Sequence, residues 1–176
     1  MERVTHMDEK LNSPEQADRS ISEMQGKYLT FWTDRQLFGV PIADVVQIVG
    51  MQQITSIPDF PPYAKGIINL RGAIIPVIDV RLRFHKPEVS YNERTCIIVT
   101  HIQQNTAGLI VDAVDEVTDI DDSLISAPPK MSASELQAAY LTGIGKLEQK
   151  IVLLLDIGKI VSEHEFETLS QDFVMA

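Results

Sequence analysis

The chain has 176 residues, a formal net charge of −10 and a mean hydropathy close to zero, with 44% of its residues apolar. That length suffices for one domain with a real core, or for two small subdomains sharing an interface, and the composition is that of a soluble folded protein. The acidic balance argues against a general affinity for nucleic acid or anionic lipid. No apolar run reaches the roughly 20 residues that span a bilayer, and the N-terminus lacks an apolar leader, so a cytoplasmic location is expected.

Residues 1–26 are polar, mixed in charge and poor in core material, which predicts a flexible tail. Tyr28-Leu29-Thr30-Phe31-Trp32 favours a strand, followed by the polar turn Thr33-Asp34-Arg35-Gln36. A second strand covers Leu37 to Ile42, with Pro41 confining it to an edge or a strand end. Val45, Ile48 and Val49 continue an apolar face whose period does not separate helix from strand. Pro58, Pro61 and Pro62 mark a connection. Two β-branched runs then flank Asn69-Leu70-Arg71-Gly72, a hairpin signal that puts Arg71 at or near a turn. Asp79 is suited to cap a short helix over residues 80–84, and residues 85–94 read as a surface crossing. Cys96, the single cysteine, lies in an apolar strand and is expected to pack rather than react.

The two halves of the chain resemble each other. Gly39-Val40-Pro41-Ile42 aligns with Gly108-Leu109-Ile110-Val111, and the match continues to Ile48 and Val117 at one constant offset. At a slightly larger offset Gly66 aligns with Gly143, Leu70 with Leu147, and Val77-Ile78-Asp79 with Leu154-Leu155-Asp156. The extra residues fall around 132–140, where Ser132 and Glu135 form a capping pattern ahead of good helix formers. The repeat predicts two related units of about five short strands each, and strands this short suit small closed or nearly closed barrels. Phe166, Leu169 and Phe173 predict an amphipathic helix in the tail 162–176.

Catalytic patterns are lacking. His6, His85, His101 and His164 have no zinc spacing, and no Gly-x-Ser-x-Gly elbow exists. The acidic run from Asp115 to Asp122 fails as an EF-hand, because counting from Asp119 puts Leu124 at the turn glycine and Lys130 at the bidentate acid. Gly143-Ile144-Gly145-Lys146 lacks P-loop spacing. Neither an enzyme nor a cofactor is expected. A small-barrel module for nucleic acid or oligosaccharide is disfavoured by the acidic charge and the missing basic patch interleaved with aromatics.

Several blocks carry a family resemblance: Phe38-Gly39-Val40, Lys65-Gly66, Asn69-Leu70-Arg71-Gly72, Ile75-Pro76-Val77-Ile78-Asp79, Gly108-Leu109-Ile110-Val111-Asp112 and Leu141-Thr142-Gly143-Ile144-Gly145. From Tyr28 to about Val161 their order resembles CheW, the coupling proteins of bacterial chemotaxis. The resemblance implies an all-β fold with a few short helices, in which two pseudo-symmetric, five-stranded, SH3-like barrels span residues 27–161. It puts the first barrel at about 37–94, completed by strands exchanged near the middle, and the second at about 95–161.

It also implies an adaptor that joins the cytoplasmic tip of methyl-accepting chemoreceptors to the regulatory domain of a CheA-type histidine kinase. Such a protein would be a monomer in isolation, would not insert in the membrane and would be recruited to receptor arrays. The receptor side is expected to involve Arg71, Asn69, Gly66, Val45, Gly108, Val111, Val114 and Gly143, and the kinase side Gln47 and Ile48. Several relatives carry an acidic residue where this chain has Gln47, which leaves open a scaffold of a non-flagellar chemosensory pathway.

Overall fold

The computed structural model describes residues 24–128 and 140–160. Most of the expected N-terminal tail, the helix expected after Ser132 and the C-terminal helix lie outside the described residues.

The strands are β1 (Lys27–Thr33), β2 (Gln36–Pro41), β3 (Val45–Gly50), β4 (Ala64–Leu70), β5 (Ala73–Asp79), β6 (Cys96–Ile102), β7 (Asn105–Val111), β8 (Ala113–Asp119), β9 (Ile125–Ser126), β10 (Leu141–Lys146) and β11 (Ile151–Leu155). Two short helices, α1 (Val80–Arg83) and α2 (Ile157–Ile160), follow β5 and β11. One sheet has the order β8-β1-β2-β11-β10-β9, and the other β3-β6-β7-β5-β4. The ambiguous apolar stretch after Pro41 resolves into a 3-10 turn over Ile42–Asp44 and then a strand. Pro41 ends β2, as its missing donor requires. Pro76 is tolerated within β5 because parallel pairing to β7 starts only at Val77.

Both sheets must curl. In the first, β8 and β9 occupy opposite edges, about 24 Å apart if five strand spacings lay flat. Only six residue steps join Asp119 to Ile125, a reach of at most about 22 Å. In the second, the chain after β3 returns beside the far-edge strand β4, where Thr55 bridges Ile67. The fold is all-β, of the SH3-like kind.

The repeat read from the sequence extends to strand register. Lys27 opposite Asp119 is repeated by Cys96 opposite Gly50. Ala64 opposite Ile78, with a shift before Gly66, is repeated by Leu141 opposite Leu155, with a shift before Gly143. The parallel pair Val77–Gly108 is repeated by Leu154–Gly39. Repeat and sheets do not share boundaries, however. The stretch from β3 to β7 forms the whole second sheet, while the first takes β1 and β2 from one half and β8 to β11 from the other. The chain therefore passes between sheets twice, at residues 41–45 and at Asp112.

Strands buried on both faces explain the near-continuous apolar runs. Val77 belongs to a cluster inside the second sheet with Ile68, Ile75, Ile97, Val99 and Ile110. Its neighbour Ile78 points the other way, into a central cluster that unites the sheets through Leu29, Phe31, Phe38, Ile98, Leu109 and Leu155. Leu37, Ile120, Val152 and Leu154 form the corresponding cluster inside the first sheet. Rings of Phe31, Phe38, Phe84 and Tyr140 stand in series through the centre, with successive centroids 5.9, 5.4 and 5.6 Å apart.

Candidate interaction surfaces

Leu70 pairs with Ala73, leaving Arg71 and Gly72 as a two-residue hairpin turn. Both have positive φ, 53° and 89°, the backbone of a type I′ turn whose twist matches the flanking strands. The Asn69 carboxamide oxygen accepts the Gly72 N–H at 2.9 Å and so holds the turn. Arg71 is exposed, and no ion pair or hydrogen bond occupies its guanidinium among the described residues. A fixed backbone thus presents five free donors.

Val45 opens β3 and Val114 is the second residue of β8, at equivalent places of the two halves, and both are half-buried against the central cluster. Val111 is 1% exposed and belongs to that cluster, so its side chain is core rather than surface lining. Gly66, Gly108 and Gly143 meet close contacts within the chain. A Cβ on Gly66 would lie 2.1 Å from the Thr55 carbonyl oxygen. On Gly108 it would lie 2.7 Å from Ile97 Cγ2, and on Gly143 2.7 Å from Ile125 Cγ2. At all three positions a side chain would meet atoms of the chain itself.

β3 is an edge strand of the second sheet, and Val46 and Ile48 are 57% and 44% exposed on it while Gln47 is half-buried. An edge strand carrying exposed apolar side chains is suited to a protein partner.

Sequence reading missed two arrangements. Arg81 donates from Nε and Nη2 to the Asp112 carboxylate at 2.9 and 2.6 Å, and its Nη1 lies 3.3 Å from Asp34. Burial alone would raise the Asp112 pKa, but the bonds from Arg81 and the Asp34 N–H, with the Arg81 charge, hold it below the usual carboxylate range. Arg83 is the second: its guanidinium sits 4.4 Å from the Tyr63 ring and 4.9 Å from that of Tyr140, the two equivalent tyrosines of the repeat.

Asp79 caps α1 through the Leu82 N–H at 3.3 Å, and its other oxygen accepts the Tyr91 hydroxyl at 2.7 Å. Burial and this carboxylate push the Tyr91 pKa up. Burial likewise pushes the Cys96 thiol up, against a role as nucleophile. Among the described residues no three His, Cys, Asp or Glu side chains cluster to hold a metal ion, and no helix is long and apolar enough to cross a membrane.

Two curled sheets around a shared core, with a rigid cationic turn and an apolar edge strand at the surface, define a protein-binding module. The CheW-like domain family matches residues 27–165. The chemotaxis protein CheW of Klebsiella aerogenes is 35% identical over 151 residues, covering 83% of this chain and 90% of that protein. A probable chemotaxis protein CheW of Rhizobium etli is 32% identical over 151 residues, covering 86% of this chain and 97% of its own. The crystal structure of the scaffolding protein TtCheW from Thermoanaerobacter tengcongensis superposes with a TM-score of 0.73 at 36% identity, covering 80% of this chain and 94% of that one. The chain belongs to the CheW family of chemotaxis adaptors.

Proposed function

We propose that this protein acts without catalysis, taking the cytoplasmic tip of chemoreceptors at one surface and the regulatory domain of a CheA-type kinase at another. The observation that carries this reading is a pair of differently built exposed features on one chain: the cationic Arg71 turn and the apolar Val46 and Ile48 of the β3 edge. The receptor tip, a helical hairpin, needs an apolar seat with a few polar anchors. Val45 and Val114 supply the seat, and Asn69 and Arg71 the anchors. Gly66 packs the strand that carries Asn69, Gly108 and the buried Val111 belong to the strand that leads to Val114, and Gly143 packs β10 against β9. The kinase domain meets Gln47 and Ile48 on β3. Binding to both partners recruits the protein to membrane-bound arrays from the cytoplasm.

Gln47 in place of an acid removes one source of electrostatic steering, so the kinase contact leans on Val46 and Ile48. Ile48→Asp tests this. Calorimetry with the kinase regulatory domain is expected to show affinity reduced roughly tenfold or more, with receptor-hairpin binding unchanged. Unaltered kinase affinity would remove β3 from that interface.

A further inference from the structure

The two crossovers between the sheets occupy equivalent places in the repeat but are built differently. At the β7–β8 crossover the Asp112 N–H donates to the Trp32 carbonyl at 3.0 Å, and the Asp112 carboxylate takes the Arg81 fork and the Asp34 N–H at 2.9 Å. Lys86 approaches Asp34 at 3.7 Å. Arg81 lies in α1, behind β5 of the second sheet, and Asp34 lies in the β1–β2 turn of the first. One guanidinium, its side chain only 16% exposed, therefore ties both sheets to the strap that joins them. Charge-assisted, bidentate contacts of this kind are among the strongest polar links available.

At the β2–β3 crossover the matching positions are Ala43 for Asp112, Gln103 for Asp34 and Gly158 for Arg81. None of these can repeat the clamp. Asp44 lies in the 3-10 turn of this crossover, and Asp156 stands ahead of α2. Asp44 has no hydrogen-bond or ion-pair partner among the described residues, and burial followed by the Asp156 charge raises its pKa. No salt bridge of Asp44 or Asp156 stands at this crossover among the described residues, where the equivalent crossover has the Arg81 clamp.

We infer that the β7–β8 crossover is a fixed hinge between the two sheets and the β2–β3 crossover their compliant edge, so that the sheets splay beside Asp44 while Arg81 holds them together beside Asp112. This rests on the clamp and its missing counterpart, and not on which partner the protein binds.

Native-state amide hydrogen exchange on the full chain tests it through two reporters, Val45 N–H, bonded to Ile42 O, and Asp112 N–H, bonded to Trp32 O. Val45 is expected to exchange roughly tenfold faster than Asp112 in the unaltered protein. Arg81→Gln should accelerate Asp112 to about the rate of Val45 while leaving Val45 as it was, and Asp156→Asn should slow Val45 alone. Should Arg81→Gln fail to fold, Asp34→Asn removes one arm of the clamp and is expected to accelerate Asp112 selectively. Equal rates in the unaltered protein, or acceleration of both amides alike by either clamp variant, would overturn the inference.

Discussion

Gly66→Ala is expected to cost the protein about 3 kcal/mol or more of stability, enough to lower the melting temperature by roughly 10 °C in a chain of this size. The new methyl would sit 2.1 Å from the Thr55 carbonyl oxygen and 2.7 Å from its carbon, and φ at this residue is +143°. Both atoms are backbone, so no side chain can rotate out of the way. Relief requires moving residues 54–55 off β4, which breaks the two 2.9 Å hydrogen bonds between Thr55 and Ile67. Gly50→Ala is the control: nothing lies within 4 Å of its Cβ position and its φ is not in the left-handed region. Thermal melts should show a large drop for the first variant and almost none for the second. Equal melting temperatures would mean that Thr55 does not cover Gly66 as described.

Arg71→Glu is expected to leave the melting temperature alone and to weaken binding of a receptor-tip hairpin by roughly tenfold to a hundredfold, about 1.4 to 2.7 kcal/mol. The fold should tolerate it because Arg71 is exposed and its turn is held by Asn69 and Gly72, not by the guanidinium. The change replaces an array of donors with acceptors of opposite charge and leaves the backbone in place. Arg71→Ala should fall between the two. Isothermal titration separates the outcomes, and unchanged affinity for Arg71→Glu would remove this residue from the receptor surface.

Much of the architecture could be read from the chain because its determinants are local. The β-branched runs, the Asn69–Gly72 turn, the cap at Asp79 and the terminal position of Pro41 each follow from a few adjacent residues. The repeat was legible because glycines and apolar positions recur at constant offsets, and strand register repeats with them. What was not legible depends on pairings distant in sequence. Arg81 lies 31 residues from Asp112 and 47 from Asp34, so nothing nearby marks them as one cluster.

The run Gly108 to Asp112 looks alike whether its valine faces a partner or the core; only the second sheet's packing against the first sends Val111 inward. Gly66 and Gly143 stand on the expected receptor side, yet what approaches them closely is Thr55, and Ile125 with Ser126, of their own chain. The sheet boundaries depart from the sequence repeat for a related reason. Each half leaves strand edges open, and the other half pairs with them, as β11 does with β2 and β7 with β5.

A passive adaptor of the kind proposed must hold both partners at once. The direct measurement is light scattering coupled to size-exclusion chromatography on an equimolar mixture of this protein, a receptor-tip hairpin and a CheA regulatory domain. A single species with the summed mass of all three, lost on Arg71→Glu or Ile48→Asp, is the predicted result. Mutually exclusive binding, with either partner displacing the other, would rule out an adaptor that bridges them.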